Sequence, residues 1–456
     1  MNHSVIILAA GRGIRMQSDL PKLLHVIGGK SLIAHLLSTL HALHPHQVVI
    51  VNGYQGEQLV NALSAEATIS WVSQQEPLGT GHASLQALPL LQEVDRVLIA
   101  YGDIPLISVH TLQRLLKATP SQSIGFVTVE VQDPTGLGRV VRNEAGAVIR
   151  IVEEKDATAE EKKITEINTG FFLVPKNYLQ QWLPTLSARN AQQEYYLSDI
   201  IAIASQQRIS ITTVSPDHEW ETLGVNDKVQ LAQLERFFQR EQARQLLQKG
   251  VTLRDPARLD VRGTVSVGRD VTIDINVILE GKVIVGNQVT IGPNVYIKDA
   301  VLADGVEVLA NSVIEGATLA ERSKVGPFAR IRPGTCLAAA ARIGNFVEIK
   351  NTTVGKGTKI NHLSYIGDAS IGEAVNIGAG TITCNFDGKK KHKTIIANRV
   401  MVGSDTQFIA PVTVGEDVTI GAGTTVVRDI PPGYLVHNRV EHREIANWTR
   451  IDEEVE

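Results

Sequence analysis

This sequence of 456 residues has few cysteines, no excess of positive charge and no long apolar run. Cys336 and Cys384 are its two cysteines, too few for a disulfide framework and not spaced like zinc ligands, so we expect a reducing cytoplasm. A formal net charge of -4 argues against a nucleic-acid binder. The apolar run Val5–Ala10 is too short for a signal peptide or a membrane span.

What the sequence does have is a repeat. Apolar residues recur six apart, often followed by glycine, at Val267, Ile273, Leu279, Val285, Ile291 and Ile297, and again at Leu319, Val325, Ile331, Leu337, Ile343 and Ile349. Hexapeptide periods are typical of parallel β-helices, in which three steps close a coil of about 18 residues. Nothing before residue 250 keeps this period, and the length exceeds one ordinary core, so we predict at least two domains.

The hexapeptide period is broken in two places. Near Val301–Val313 we attribute the break to extra residues. The second break lies between Cys384 and Ile395, before the period resumes at Val402. Insertions in such repeats form surface loops that often carry function. The four lysines of 384–393 could bind the phosphates of coenzyme A, although a solvated loop is the alternative.

The first half alternates apolar runs with amphipathic segments: 5–8, 32–43, 48–51, 83–91 and 97–100. Strands that alternate with helices indicate an α/β fold with a parallel sheet, whose ligands bind at the carboxyl ends of the strands. The segment from Lys228 to Lys249 reads as one helix with Gly250 as its stop. It would bridge two domains or, alternatively, cover the core of the first.

Two loops at these strand ends carry chemistry. In the first, Leu8–Met16, small residues and glycines let backbone N–H groups approach a phosphate, and Arg15 and Lys22 would neutralise its charge. A tight strand-to-helix turn is the alternative. In the second, Asp103 ends a strand and is suited to hold Mg²⁺, which prefers oxygen ligands, although such an Asp also serves as a loop cap.

His362 is the candidate base of the second half. An amine that attacks a thioester must lose a proton near pH 7, which histidine can accept. Most of the 13 histidines must be structural or exposed, and His362 could be one of these. Its position in the outward part of a coil, about one coil before the Asn385 loop, favours catalysis.

The motifs of the first half occur in a characteristic order: LAAGRGIRM, PK, QQEPLGTGHA, YGD, GLGR, INTG and GVN. This order resembles that of the sugar-phosphate nucleotidyltransferases. With a hexapeptide second half, nearly the whole chain is similar to the bifunctional bacterial N-acetylglucosamine-1-phosphate uridylyltransferases and glucosamine-1-phosphate N-acetyltransferases. The resemblance implies a Rossmann-like domain (1–228), a helical linker (229–249) and a left-handed parallel β-helix (250–456).

The resemblance also implies roles for residues of the first half. UTP would lie against Leu8, Ala9, Ala10 and Gly11, its triphosphate against Arg15 and Lys22, which would act catalytically. Mg²⁺ would be held by Asp103 and Asn226. The other nucleotide and sugar contacts would be Gln74, Gly79, Thr80, Tyr101, Gly102, Gly138, Glu153 and Asn168.

For the second half, the resemblance makes His362 the general base of acetyl transfer. Glucosamine-1-phosphate would be bound by Arg332, Lys350, Tyr365 and Asn376. Acetyl-CoA would be bound by Ala379, Asn385, Phe386, Ser404, Ala422 and Arg439. Hexapeptide acyltransferases are commonly trimers with sites between subunits, so we expect a homotrimer, with no nucleic-acid or membrane partner.

Two residues depart from the family pattern, and two alternatives stay open. Ile14 replaces a threonine, which we expect to tune affinity, and Phe386 replaces a tyrosine, which removes any contact through a phenolic hydroxyl. Arg332 and Lys350 could instead pair with carboxylates such as Glu348. The chain could also be a regulatory subunit whose β-helix only oligomerises, or a uridylyltransferase acting on another sugar phosphate.

Overall fold

The computed structural model of the chain describes residues 2–53, 56–64, 66, 68–438 and 443–448. The chain divides into two compact units, residues 1–239 and 240–456. Each unit has a hydrophobic core of its own. Within the described residues, no helix is long and apolar enough to cross a membrane.

The first unit alternates strands and helices. Its strands are β1 (His3–Ala9), β2 (Val26–Ile27), β3 (Lys30–Ser31), β4 (Val48–Asn52), β5 (Ile69–Ser73), β6 (Arg96–Tyr101), β7 (Ile124–Glu130), β8 (Arg139–Arg142), β9 (Val148–Val152), β10 (Glu166–Pro175) and β11 (Ile211–Val214). Its helices are α1 (Leu32–His41), α2 (Gly56–Ala62), α3 (Thr80–Ala87), α4 (Val109–Ala118), α5 (Lys176–Trp182) and α6 (Ile200–Gln206). Helix α7 (Lys228–Gln248) continues into the second unit.

The main sheet has the strand order β11-β7-β10-β6-β1-β4-β5. In β1, Val5, Ile6 and Ile7 are fully buried, as expected for a strand covered on both faces. The predicted α/β fold is confirmed, and the strands of the predicted apolar runs, β1, β4 and β6, are parallel, whereas β10, which was not predicted, runs antiparallel to β6 and β7. The chain reaches β10 through the antiparallel hairpin β8–β9, and a parallel strand would have required a crossover connection.

The loop after β1 is much longer than a tight strand-to-helix turn, so that alternative is wrong. Between Ala9 and α1 the chain makes the short 3₁₀ turns Ile14–Met16 and Lys22–Leu24 and the two-stranded hairpin β2–β3. Helix α1 then begins at Leu32, where the Ser31 hydroxyl accepts a hydrogen bond from the Ala34 amide, as an N-cap does. The loop is therefore free to form one wall of a cleft.

Helix α7 confirms the predicted helix from Lys228. Its first half contributes Leu234 to a core cluster of the first unit, and its second half contributes Ala243 and Leu246 to the core of the second unit. Gly250 follows the helix with a φ of 89°, a left-handed conformation typical of the residue after a helix end. The helix therefore contributes side chains to a core cluster of each unit.

The second unit is a stack of short parallel strands. They are β12 (Thr252–Leu253), β13 (Leu259–Val267), β14 (Thr272–Ile273), β15 (Val277–Val285), β16 (Thr290–Ile291), β17 (Tyr296–Lys298), β18 (Val301–Leu302), β19 (Glu307–Val308), β20 (Val313–Glu315), β21 (Thr318–Leu319), β22 (Lys324–Val325), β23 (Arg330–Ile331), β24 (Cys336–Leu337), β25 (Arg342–Asn345), β26 (Glu348–Lys350), β27 (Thr353–Val354), β28 (Lys359–His362), β29 (Tyr365–Gly367), β30 (Ala369–Ile371), β31 (Asn376–Ile377), β32 (Ile382–Cys384), β33 (Thr394–Ile396), β34 (Met401–Val402), β35 (Gln407–Ile409), β36 (Val412–Val414), β37 (Thr419–Ile420), β38 (Thr425–Val426) and β39 (Leu435–Val436).

Pairing between successive coils confirms a parallel β-helix. Ile273, Ile291 and Val308 are partners in consecutive coils and are fully buried. The expectation of extra residues near Val301 is wrong. Leu302 points inward five residues after Ile297, so a residue is missing there, and Ile297 pairs with Ile314 in a shortened coil. Because the missing residue comes from a turn, the apolar residues on either side of it still point into the core. A shift of one residue within a strand would instead turn them outward.

The insertion between Cys384 and Ile395 is a structured hairpin. Phe386 and Lys391 form an antiparallel bridge, and the Asp387 carboxylate accepts hydrogen bonds from the amides of Lys389 and Lys390. His392 contacts the same carboxylate over 2.6 Å. Together these hydrogen bonds hold the pKa of Asp387 far below its usual range. The Lys390 amide makes the largest contribution, followed by His392. The insertion is therefore an organised part of the surface, not a loose loop.

Candidate active sites

A cleft of about 330 Å³ opens at the carboxyl ends of β1 and β6, where ligands bind in sheets of this kind. The first loop forms one wall, and the segment before α3 forms another. Among the described residues its lining is Leu8, Ala9, Ala10, Gly11, Arg12, Lys22, Leu23, Gln74, Pro77, Gly79, Thr80, Ala83, Tyr101, Asp103 and Glu194. Most of the predicted nucleotide-site residues therefore lie together.

Two glycines are required by the shape of this cleft. The Gly102 amide donates to the carbonyl of Leu8, and a Cβ at Gly102 would lie 2.9 Å from that oxygen. Gly79 has a φ of 106°, and a Cβ there would lie 2.6 Å from the Tyr195 carbonyl oxygen. Larger residues would push the walls apart.

Gln74 and Thr80 are held by hydrogen bonds at the wall before α3. The buried Gln74 amide donates to the Gly79 carbonyl and contacts Nδ1 of His82 over 2.9 Å. The Thr80 hydroxyl accepts from the Leu197 amide. These contacts fix the polar groups that face the cleft.

Lys22, Asp103 and Asn226 converge on one point. Nζ of Lys22 lies 2.7 Å from Oδ2 of Asp103 and 3.4 Å from Oδ1 of Asn226. The Val225 amide donates to the Asp103 carbonyl, which ties the two oxygen-bearing segments together. One carboxylate and one amide oxygen already share a cation, and these are ligands that Mg²⁺ accepts. The donor set therefore fits the predicted magnesium ion. In the described chain, no group of three or more His, Cys, Asp or Glu side chains could hold a metal.

Arg15 is not among the described residues that line the cleft. It is exposed on the turn Ile14–Met16, and the described lining of the cleft contains Arg12 in its place. Sequence reasoning missed Arg12, although its position between two loop glycines was a usable signal. The Ile14 side chain is 76% exposed, so the family's hydroxyl at this position would face solvent.

The residues predicted for the sugar form a second group. The Asn168 amide donates to the Gly138 carbonyl, and a Cβ at Gly138 would lie 3.1 Å from Oε2 of Glu153. Glu153 accepts from the Ser198 hydroxyl over 2.9 Å. Burial has the largest effect on the Glu153 carboxyl and raises its pKa despite that hydrogen bond. Burial likewise raises the pKa of Tyr101, with the Glu153 charge adding to it.

On the β-helix, His362 is exposed at the end of β28. It pairs with Asn345 of the preceding coil, and its Nδ1 lies 3.1 Å from Oδ1 of that residue. When Nδ1–H donates to this oxygen, Nε2 keeps its lone pair and can accept a proton. Asn345 was not predicted, because its partner is 17 residues away and no local pattern links them.

Small residues continue the line of His362 along the β-helix. The register of β28, β31, β34 and β37 brings Ala379, Ser404 and Ala422 to the same position in the next three coils. The Asp405 amide donates to the Ala379 carbonyl, and the Gly423 amide donates to that of Ser404. Three residues predicted to bind acetyl-CoA thus form one column that begins at His362.

The predicted phosphate ligands have different partners. Arg332 donates to Glu348 over 2.7 Å, so the ion pair raised as an alternative is present. Glu348 and Lys350 are the first and last residues of β26 and pair with Tyr365 and Gly367 of β29. Lys391 of the insertion lies against Lys350, whose contact and charge lower the pKa of Lys391. Two groups of like charge therefore lie close together beside β26.

The remaining predicted residues lie in three places. Asn376 is in β31, the strand next to β28. Asn385 is buried, with Nδ2 donating to Oδ2 of Asp368 over 2.6 Å. Phe386 is 61% exposed on the hairpin. Arg439 lies outside the described residues.

Family models divide the chain as the structure does. A MobA-like NTP transferase domain matches residues 5–252, a GMPPB C-terminal domain matches 261–344, and a bacterial transferase hexapeptide (six repeats) matches 393–428. Together with the cleft and the β-helix, these matches define a two-domain transferase, with a nucleotidyltransferase unit followed by a hexapeptide-repeat unit.

Curated relatives narrow that class. The bifunctional protein GlmU of Marinobacter nauticus is 52% identical over 98% of both chains. That of Nitrosospira multiformis is 50% identical over 98% of this chain and 97% of its own. That of Burkholderia thailandensis is 53% identical over 95% of this chain and 96% of its own. The chain belongs to the family of the bifunctional protein GlmU. It is a bifunctional enzyme that catalyses uridylyl transfer and acetyl transfer in UDP-N-acetylglucosamine synthesis.

Proposed function

We propose that the two reactions divide between the two units at the boundaries predicted from the sequence, with 229–249 as the linker helix. Acetyl-CoA would acetylate glucosamine-1-phosphate on the β-helix, and UTP would then react with N-acetylglucosamine-1-phosphate in the cleft, releasing pyrophosphate. The observation that carries this proposal is that each unit has the groups for one reaction: Lys22, Asp103 and Asn226 in the first, and His362 with Asn345 in the second.

In the first unit, the attacking group is a phosphate oxygen of the sugar phosphate, which is already ionised at neutral pH and needs no general base. Lys22 and Arg12 would neutralise the triphosphate, with Arg15 available from the exposed turn. Asp103 and Asn226 would hold Mg²⁺, which supplies charge neutralisation on phosphate oxygens when bound. The shared contact of both oxygens with Lys22 supports this assignment.

The sugar would bind against Gly138, Glu153 and Asn168. Gly138 leaves space beside the Glu153 carboxylate, where any larger residue would intrude. A buried carboxylate accepts strong hydrogen bonds from sugar hydroxyls or from an acetamido N–H. The neighbourhood of these three residues supports a subsite that reads the N-acetyl sugar.

On the β-helix, His362 would act as the general base. Its Nε2 would take a proton from the amine of glucosamine-1-phosphate while the nitrogen bonds to the thioester carbon. The tetrahedral adduct then breaks its C–S bond and releases coenzyme A as a thiolate. Arg332, Lys350 and Lys391 would bind the sugar phosphate together with Tyr365 and Asn376. Ala379, Ser404 and Ala422 would lie along the acetyl-CoA, with Asn385 and Phe386 at its edge.

We also propose a homotrimer as the active form. A flat β-helix face has no deep cleft of its own, so the walls around His362 must come from elsewhere. Phe328, Phe346 and Leu363 lie at one corner of successive coils, are 49%, 57% and 63% exposed, and the two rings stack at 5.3 Å. This apolar ladder begins beside His362 and is suited to pack against a second copy.

One experiment tests the whole assignment. Purified protein is incubated with glucosamine-1-phosphate, acetyl-CoA, UTP and Mg²⁺, and UDP-N-acetylglucosamine is measured by mass spectrometry. Asp103→Ala should remove uridylyl transfer and retain acetyl transfer, and His362→Ala should do the reverse. Loss of both activities in either folded variant would contradict the proposed division.

A further inference from the structure

Asp368 is an acidic residue of the β-helix that the sequence motifs did not single out. It follows β29 with a φ of 50°, and its side chain contacts one residue of the preceding coil and one of the following coil. Its Oδ2 accepts from Nδ2 of Asn385 over 2.6 Å, and its Oδ1 accepts from Nδ2 of Asn351 over 2.7 Å. An ionised carboxylate only accepts hydrogen bonds, so both asparagines must turn their NH₂ groups towards it.

This contact determines which end of the Asn385 amide is available to a ligand. Asn385 is 8% exposed, so its side chain is nearly buried. With Nδ2 held by Asp368, the acceptor Oδ1 is the other end of the group, and within the described residues it accepts no hydrogen bond. An oriented acceptor at this point suits an N–H donor of a bound substrate.

Asp368 also faces two ammonium groups. Its backbone amide donates to the Lys350 carbonyl, and the charges of Lys350 and Lys391 act on its carboxylate. Burial tends to raise the pKa of Asp368, but the hydrogen bonds from Asn351 and Asn385 and the two lysine charges outweigh it and lower the pKa. The carboxylate is therefore ionised at neutral pH and partly offsets the repulsion between the two lysines.

We propose that Asp368 is a positioning residue of the acetyl-transfer site: its carboxylate fixes the Asn385 amide so that Oδ1 accepts an N–H donor of the bound substrate. This inference rests on the proposed acetyl-transfer site. Two donors fit the chemistry, the amine of glucosamine-1-phosphate and the amides of acetyl-CoA. Because Asp368 acts through Asn385, its effect must depend on that residue being present.

The test is a double-mutant cycle in the full-length protein. Asp368→Asn keeps the shape but allows the Asn385 amide to flip. We expect kcat/KM for acetyl transfer to fall about tenfold, chiefly through KM, and the substrate whose KM rises identifies the donor. Asn385→Ala should cause a similar loss, and adding Asp368→Asn to it should change little. Additive losses, or a pure kcat effect, would overturn the inference.

Two controls separate this role from a structural one. Asp299 occupies a similar left-handed corner, with a φ of 46° and an amide donating to Glu280 one coil earlier, so Asp299→Asn should leave acetyl transfer unchanged. Uridylyl transfer by the same samples confirms intact protein. If Asp368→Asn lowers the unfolding midpoint and both activities together, the residue is structural. If the wild type itself does not acetylate, the proposed function fails instead.

Discussion

Nζ of Lys22 lies 2.7 Å from Oδ2 of Asp103 and 3.4 Å from Oδ1 of Asn226. A lysine that is also needed for the triphosphate thus contacts both proposed magnesium ligands. Two cations cannot share these oxygens without repulsion. Binding of UTP would draw Lys22 towards the phosphates and free the oxygens, so nucleotide and metal affinities should be coupled, and by thermodynamic linkage each should raise the other.

The first prediction is that Lys22 weakens metal binding to the free enzyme. In Lys22→Met, Mn²⁺ should bind about tenfold more tightly without nucleotide, because a charge-assisted contact of roughly 1.5 kcal/mol no longer competes. Electron paramagnetic resonance of free Mn²⁺ measures this directly. The exposed Lys117→Met is the matched control, and Asp103→Asn should bind Mn²⁺ poorly. Equal affinity of Lys22→Met and wild type would refute the competition.

The second prediction concerns the ladder of Phe328, Phe346 and Leu363. A charge buried in an apolar contact is strongly unfavourable, so Phe346→Asp should shift the protein towards monomers in analytical ultracentrifugation. Acetyl transfer should fall at least a hundredfold, because His362 loses walls from the neighbouring copy, while uridylyl transfer should persist. Ile284 is also exposed but lies away from this ladder, and Ile284→Asp is the control. A fully active monomer would contradict the trimer.

The third prediction is a trade-off at Glu153. Burial raises the pKa of Glu153, so the folded state disfavours the ionised carboxylate. The contribution of Glu153 to the free energy of unfolding therefore declines as the pH rises above the ordinary pKa of about 4.3. Glu153→Gln removes this cost and keeps a partner for Ser198. At pH 7.5 the variant should unfold at a higher temperature than wild type, and the gain should narrow at pH 5.

Its activity should change in the opposite direction. Without the carboxylate, KM for N-acetylglucosamine-1-phosphate should rise at least tenfold, while KM for UTP stays near the wild-type value. Steady-state kinetics and thermal unfolding of the same samples provide both readouts. A variant that is less stable at pH 7.5 would show that the contacts of the Glu153 carboxylate outweigh the cost of burying its charge.

The fourth prediction concerns Gly367. A Cβ there would lie 2.5 Å from Oη of Tyr365 and 2.8 Å from Nδ2 of Asn385, so Gly367→Ala must displace both side chains. Acetyl transfer should fall about a hundredfold, since small misplacements at a reacting centre have effects of that order. Gly357→Ala places its methyl in open space, although at a strained φ of 69°, and therefore controls for a glycine-to-alanine change without a side-chain clash. Equal kinetics of the two variants would remove the assigned role of Gly367.

Sequence motifs predicted residues that the fold brings close together, but they could not predict the contacts that folding creates. The column from His362 through Ala379, Ser404 and Ala422 was named residue by residue, but its alignment depends on coils of 17, 25 and 18 residues. A strict period of six gives coils of 18 residues and could not supply those of 17 and 25. Asn345 and Asp368 act on residues one coil away, and the antiparallel direction of β10 follows from a hairpin that no local pattern announces.

The last prediction follows from the contact between His362 and Asn345. If Nδ1–H of His362 donates to Oδ1 of Asn345, the side-chain amide both fixes the ring and leaves Nε2 as the base. Asn345→Leu removes that acceptor, so kcat for acetyl transfer should fall about tenfold to a hundredfold with little change in KM.

Asn345→Asp tests the same contact by charge rather than by loss. A carboxylate beside Nδ1 stabilises the protonated imidazole, and a protonated ring cannot accept the proton of the amine. As the pH is lowered, Asn345→Asp should therefore lose acetyl transfer at a higher pH than the wild type does. The pH dependence of kcat measures this, with uridylyl transfer as the internal reference. An unchanged acid limb would show that Asn345 does not act through the His362 ring.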